Sequence, residues 1–589
     1  MNKWDLTYLF KTKEDFLEEL NNLPPYGDKL SSYQGKLGEE KEFVEYVLLK
    51  DEFDKRATRV YEYAALQSDL NKKVVENAAY VSKIMMIFNV IQSKTSFEAP
   101  EILALGEEKV MEFIARNDSI KQYKFLFEKL FRGQLHVLDA KREELLANYA
   151  PLSSIGGNLY SSLAVADSSP KEVELSTGKV KVTQGNWRSL IQEHKDNEED
   201  RRKIFETLYS TYDEHKNTYA NIYSATLNME NAERKSRNYN SILEYHLYDN
   251  NIPVEVFTNL IEVASQENAS LKKYLKLRKK YLKIDNYRTY DRFIDLASSS
   301  KKYTYEEAKE LFFNSIKSCP QDFIDKAHEV LRDGFVDVYE QEGKRTGAYS
   351  SGQSDLHPFI LLNYASTLDD VFTVAHEAGH SIHTLYAEEA QPSALQNYTI
   401  FVAEIASTYN EHMLLDYLIK EGNTTKEEKI MLLQKAIDEI YATFYRQTLF
   451  AHYEWTISKC VENNEPITYE LLSKTMIDLY KQYYDMDIKE EKLKEYVWAY
   501  IPHLFYTPFY VYQYATSFAA SFKLYQSVSS KEPEAMEKYV NLLRSGGSKY
   551  PIKQASDAGV DFMKKETFMA VVNRMDELVD KLEQLLEEK

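Results

Sequence analysis

Apolar residues recur at helical spacing along most of this chain. Between residues 39 and 70, Phe43, Val47, Leu48, Phe53, Val60, Tyr63 and Leu66 fall near one face of a helix whose other positions are largely polar. Similar patterns recur at 103–147, 190–247, 254–283, 305–333, 398–419, 425–460, 467–497 and 565–587. Glycine and proline, 18 and 14 in 589 residues, are too sparse to break these periods often. Alternation with period two is confined to residues 172–175 and 179–183, joined by Ser176-Thr177-Gly178, which predicts a β-hairpin. Residues 357–364 (HPFILLNY), between glycine-containing turns, predict another short strand. The expected class is mainly α with a small β element.

The length of 589 residues exceeds one compact core, so two or three lobes are expected. The loop-like stretch 150–186 separates an N-terminal helical lobe from a larger C-terminal part. A net charge of −20 argues against a nucleic-acid partner and against docking to an anionic membrane, both of which need a basic face. Two cysteines, Cys319 and Cys460, far apart, fit a reducing compartment. The first twenty residues carry charges every few positions and no apolar core of a signal peptide. The longest apolar run, Ile84 to Ile91, is too short to span a bilayer. These features predict a soluble cytoplasmic protein; none speaks to its oligomeric state.

The chemistry concentrates at residues 374–383, VAHEAGHSIH. His376-Glu377-Ala378-Gly379-His380 fits H-E-x-x-H, for which chance matches in a chain of this composition number roughly 0.04. On a helix His380 lies ~40° from His376, and Glu377 lies ~100° from His376 and ~60° from His380. Two imidazoles can therefore share one metal ion while the glutamate points past it toward water. Val371, Phe372, Val374, Ala375 and Ala378 make the segment a buried one, where imidazoles need partners. Zinc is the expected ion. Thr367 and Asp370 predict a capping box at the start of the helix. Gly379, costly within a helix, predicts close approach of another backbone or a ligand.

Two residues compete to complete the site. His383 lies ~20° from His376, but on the side away from Glu377, which suits contact with substrate or with the supporting shell better than ligation. The alternative is a glutamate from the next apolar helical pattern, 398–419, which contains Glu404 and Glu411. An antiparallel helix pair would set Glu404 opposite the two histidines and leave Glu411 about two turns away, placed to orient a ligand.

Together these residues resemble the thimet oligopeptidase/oligoendopeptidase F family of zinc metallopeptidases, on its oligoendopeptidase F side. The resemblance is carried by DDVFTVAHEAGHSIH (369–383) and FVAEIASTYNE (401–411). Upstream lie GFVDVYEQEGKRTGAYSSG (334–352) and HPFILLNY (357–364). Downstream lie PHLFYTPFYVYQYATS (502–517) and LRSGGSKYPIKQASDAGVDF (543–562). It implies His376, His380 and Glu404 as ligands of one Zn2+ per chain, with Glu377 as general base. It further implies His503 and Tyr514 as stabilisers of the tetrahedral intermediate, and Tyr510 and Tyr512 as residues that hold substrate. The implied fold is a mainly α, multi-helix, two-lobed metallopeptidase with a deep central channel and the small β element beside the HExxH helix. Its implied divisions are an N-terminal helical lobe (1–115), an oligoendopeptidase-F-type N-terminal lobe with the hairpin (116–198) and a catalytic domain (199–589). The substrates expected are short unstructured peptides cut at internal bonds.

Two local readings accompany the resemblance. Thr507 and Pro508 predict the N-cap and first residue of a new helix, with His503 in the loop before it and Tyr510 and Tyr514 on one face. Residues 343–354 (GKRTGAYSSGQS) form a glycine-rich stretch beside a strand, so an extended peptide could pair near Gly347 and Ala348. Two other functions fit parts of the pattern: a helical peptide-binding protein with a catalytically silent zinc, and a zinc carboxypeptidase of similar architecture.

Overall fold

The computed structural model describes residues 2–149, 152–298, 300–420 and 424–588. Ala150 and Pro151, at the start of the expected connecting stretch, lie outside them. The fold is mainly α, as the periodicity predicts. Its strands are β1 (Lys171–Leu175), β2 (Gly178–Val182), β3 (Val336–Asp337), β4 (Tyr349–Ser351) and β5 (Phe359–Leu361). The chain divides into two compact units, each assembled from separate stretches.

The first unit comprises residues 1–135, 301–422 and 524–560. Its core gathers Phe16, Phe43, Phe53, Val60 and Ile114 from the N-terminal helices with Phe335, just before β3, and Phe359 and Leu361 of β5. The sheet has the order β3-β5-β4, with β3 parallel and β4 antiparallel to β5, so β4 lies at an edge. Two helices follow: α1 (Leu368–Ala390) and α2 (Ile400–Lys420). The expected capping box opens α1: Thr367 accepts the Asp370 N–H, and Asp370 accepts the Thr367 N–H at 2.8 Å. α1 and α2 pack closely because Gly379 has no side chain. A methyl group there would lie 2.5 Å from the Ala406 carbonyl oxygen and 2.6 Å from the Ser407 Cα. Of the two predicted reasons for Gly379, the backbone approach is the one observed.

The second unit comprises residues 136–300, 423–523 and 561–589. β1 and β2 form the predicted hairpin, with Leu175 opposite Gly178. The long pattern at 254–283 is two helices, Val254–Gln266 and Ala269–Leu282, because the buried Asn268 side chain donates to the Ser265 carbonyl and stops the first. The pattern at 425–460 is helical throughout but passes through a π-helical turn at Ile440–Tyr445.

The helix expected to start at Thr507-Pro508 begins later, at Tyr512, and His503 heads a short helix of its own, His503–Tyr506. Thr507 is the C-cap of that short helix. Phe509 adopts φ +57° and donates its N–H to the buried carboxylate of Glu454 at 2.8 Å, a tertiary bond that local sequence does not reveal.

Candidate active site

α1 and α2 bring three of the expected residues together. His376 Nε2 and His380 Nε2 are 3.2 Å apart, and Glu404 Oε2 lies 3.4 Å from the first and 3.5 Å from the second. Three ligands of a tetrahedral zinc, each at about 2.0–2.1 Å, would stand roughly 3.3–3.4 Å from one another. The donors therefore already have ligand spacing. They form the one His/Cys/Asp/Glu cluster among the described residues with the geometry of a metal site.

Surrounding groups fix these donors. His376 Nδ1 meets Glu411 Oε1 at 2.5 Å, which leaves Nε2 to face the cluster; this is the orienting role expected for Glu411. The Ser407 hydroxyl donates to Glu404 Oε2 at 2.9 Å, and Asn410 Nδ2 donates to the Ala375 carbonyl at 3.0 Å, tying α2 to α1. Burial disfavours a charged His376 imidazole, but the Glu411 carboxylate, with Glu377 and Glu404 behind it, lifts its pKa to about 10. Burial likewise disfavours the Glu404 carboxylate, yet His380 and His376 hold its pKa down to about 2. Without a metal His376 thus holds a proton, which a cation entering the cluster would displace.

Glu377 is 5% exposed, and its Oε2 has no hydrogen-bond partner. Burial raises its pKa, and the two imidazoles pull against that rise. A buried carboxylate oxygen left unpaired beside the donors is costly in a purely structural segment and suits a proton acceptor.

His383 sits elsewhere: it is 0% exposed, with its ring stacked 3.5 Å from that of Tyr398. Burial, reinforced by His380, depresses its pKa to about 3. The Tyr398 hydroxyl in turn donates to the His380 carbonyl at 3.4 Å. Sequence reasoning passed over Tyr398 and Asn410; the polar amide of Asn410 amid Ala406, Met413 and Leu414 was the available signal. Ser350 on β4 and Ser381 on α1 share a hydroxyl hydrogen bond of 2.8 Å, so the edge strand is anchored beside the motif. Gly347 leads into β4 with φ +83°, and Asn363 Nδ2 donates to its carbonyl at 2.7 Å; Ala348 next to it is half-buried.

His503, Tyr510 and Tyr514 lie together in the second unit. Ring centroids are 5.8 Å apart for His503 and Tyr510, 6.4 Å for His503 and Tyr514, and 5.5 Å for the two tyrosines. Burial lowers the His503 pKa, helped by the nearby Arg446 charge. Tyr512 is 2% exposed and packs edge-on against Phe257.

The family model "Peptidase family M3" matches residues 191–574, well over half the chain, and an "Oligopeptidase F" model matches residues 101–169. The chain belongs to peptidase family M3, in its oligoendopeptidase F group. Oligopeptidase PepF of Bacillus subtilis is 34% identical across 99% of this chain and 87% of its own length. An oligoendopeptidase F homolog of Borreliella burgdorferi is 33% identical across 97% of this chain and 96% of its own. Among solved structures, a putative peptidase from Chlamydophila abortus superposes with a TM-score of 0.89 at 30% identity, covering 99% of this chain and 98% of that one. Oligoendopeptidase-F from Enterococcus faecium gives 0.76 at 25% identity, covering 98% and 99%. As an M3 metallopeptidase the chain is an enzyme that uses a divalent metal, and its fold is the mainly α fold of oligoendopeptidase F. No helix among the described residues is long and apolar enough to cross a membrane.

Proposed function

We propose that this M3 peptidase is a zinc-dependent endopeptidase that cuts internal bonds of short unstructured peptides. The observation that carries the reading is the triangle of His376, His380 and Glu404 donors, at zinc-ligand spacing, beside the unpaired buried oxygen of Glu377. Zinc held there supplies Lewis acidity, polarising a carbonyl oxygen and lowering the pKa of water toward ~7.

The chain's own groups do the rest. Glu377 Oε2 takes a proton from the attacking water and passes it to the departing amine nitrogen, so the carboxylate is regenerated each cycle. Glu411 holds the His376 ring with Nε2 toward the donors. His503 and Tyr514 donate hydrogen bonds to the oxygen that gains charge in the transition state, and Tyr510 steadies the peptide. The buried Tyr512 supports that cluster from the core, and His383, stacked on Tyr398, supports α1 from behind. The β4 edge, entered through Gly347 and Ala348, offers backbone groups to an extended substrate. The divisions at 115/116 and 198/199, and a cytoplasmic location in keeping with two free cysteines, belong to the same reading.

Peptides blocked at both ends, incubated with and without a chelator, test it. Internal cleavage that a chelator abolishes and added zinc restores is the expected result. Cleavage restricted to peptides with a free C-terminus would indicate a carboxypeptidase, and zinc retention without cleavage of any peptide would indicate a silent site.

A further inference from the structure

The second unit encloses a cavity of about 260 Å³ whose wall carries Arg188, Arg292, Arg446 and Lys494. Four cations converge here in a chain of net charge −20. Among the described residues, no carboxylate stands within ion-pair distance of any of them. Two acids that act on them through space, Glu491 on Lys494 and Asp438 on Arg292, are engaged elsewhere. Glu491 accepts the N–H of Thr289 at 2.9 Å and also its hydroxyl, and Asp438 accepts the Tyr274 hydroxyl at 2.8 Å and Gln434 at 3.2 Å.

Aromatic faces hold the cations instead. The Arg292 guanidinium lies 4.3 Å from the Tyr441 ring centre and 4.8 Å from that of Phe293, and Arg188 lies 5.1 Å from that of Phe293. Lys494 is 7% exposed, with its ammonium 5.3 Å from the Tyr480 ring. Its backbone is set by Leu493, which adopts φ +72°, a conformation that bulky residues rarely take. The π-helical turn at Ile440–Tyr445 delivers Tyr441 and then Arg446 to the same wall.

Like charges gathered around a cavity repel one another, most strongly at the buried Lys494, where little water screens them; Arg292 and Arg446 are half-buried and Arg188 is exposed. The effect is visible at Lys494, whose pKa burial holds down to about 8, with Glu491 opposing and Arg446 and Arg292 adding to the fall. A lysine as buried as Lys494 is ordinarily paired with a carboxylate. From the cavity and its four unpaired cations we infer that this is a binding site for a dianionic phosphate group, either inorganic phosphate or a phosphomonoester. A single carboxylate would leave most of the charge unbalanced, whereas a dianion with three or four acceptor oxygens meets forked arginine donors well. The volume exceeds that of bare phosphate, and Trp187, Phe293 and Tyr500 give an ester's organic part an aromatic wall. The inference does not depend on the metal site or on peptide hydrolysis.

Isothermal titration of the full-length protein with inorganic phosphate, and separately with phenyl phosphate, tests it at ionic strength matched with chloride. The expected result is a dissociation constant below about 1 mM for at least one of them. The tighter of the two identifies the free ion or the ester as the better ligand. Arg188→Gln, at an exposed position that tolerates substitution, and Lys494→Gln should each weaken binding about tenfold or more. Absence of binding, chloride competing on equal terms, or unchanged binding in both variants would overturn the inference.

Discussion

Gly379 is the point where the account is most exposed to a single substitution. In a solvent-facing helix, Gly→Ala would stabilise by about 1 kcal/mol. Here the added Cβ would stand 2.5 Å from the Ala406 carbonyl, against ordinary contact from 3.4 Å. The obstacle is backbone rather than a movable side chain, so α1 and α2 must part locally by about 0.9 Å. Gly379 adjoins His380, and Ala406 follows Glu404 by two residues, so the displacement falls on donors now 3.2–3.5 Å apart. A shift of that size exceeds the ~0.5 Å within which a metal or catalytic constellation must be held. Overpacking costs of about 1–3 kcal/mol outweigh the helix gain, giving a net loss of up to about 2 kcal/mol. Gly379→Ala should therefore melt at a lower temperature, bind zinc more weakly in competition with a chromophoric chelator, and lose about 10²-fold in kcat/KM. An alanine variant that melts no lower and binds zinc as tightly as the parent would refute the claim that this contact sets the donor spacing.

The other expected outcomes follow from particular contacts. Glu377→Gln should keep zinc but lose peptide hydrolysis by at least 10²-fold, measured by metal analysis beside a fluorogenic peptide assay; undiminished turnover would remove the assigned base. Glu411→Gln should weaken zinc binding about 10–100-fold, because His376 loses the carboxylate that orients it, and zinc affinity of the parent should fall with acidification as His376 competes for protons. Glu454 is buried in the second unit with its pKa raised to about 8 by desolvation, which the Phe509 N–H opposes. Its contribution to stability is fully present below the ordinary value of 4.5 and is lost as pH rises through 8, so the melting temperature should decline across that window and Glu454→Gln should flatten the decline. If the substrate range is set by enclosure, a ten-residue peptide should be cut far faster than a folded protein; equal rates would end that part of the proposal.

Much of the site was legible because its signals are local. The H-E-x-x-H spacing, the Thr367/Asp370 box and the carboxylate of Glu404 amid apolar neighbours each reflect a constraint acting within a few residues. The helix pairing that sets Glu404 opposite the histidines was also foreseeable, since a buried carboxylate needs a partner. What escaped depends on remote partners. β3 and β4 are two and three residues long and exist through pairing with β5. The Thr507-Pro508 start signal yielded to a bond between Phe509 and Glu454, 55 residues away. The two compact units, each threaded from three stretches, leave no mark on composition or linkers. The cation-lined cavity likewise joins residues from 187 to 500 that share no motif.

The most direct test is an anomalous difference map at the zinc edge from crystals of the protein with one equivalent of zinc. The account predicts one peak about 2.0–2.2 Å from His376 Nε2, His380 Nε2 and a Glu404 carboxylate oxygen, with room for solvent on the side of Glu377. A peak that recruits His383 in place of Glu404, or no peak at these residues, would contradict it.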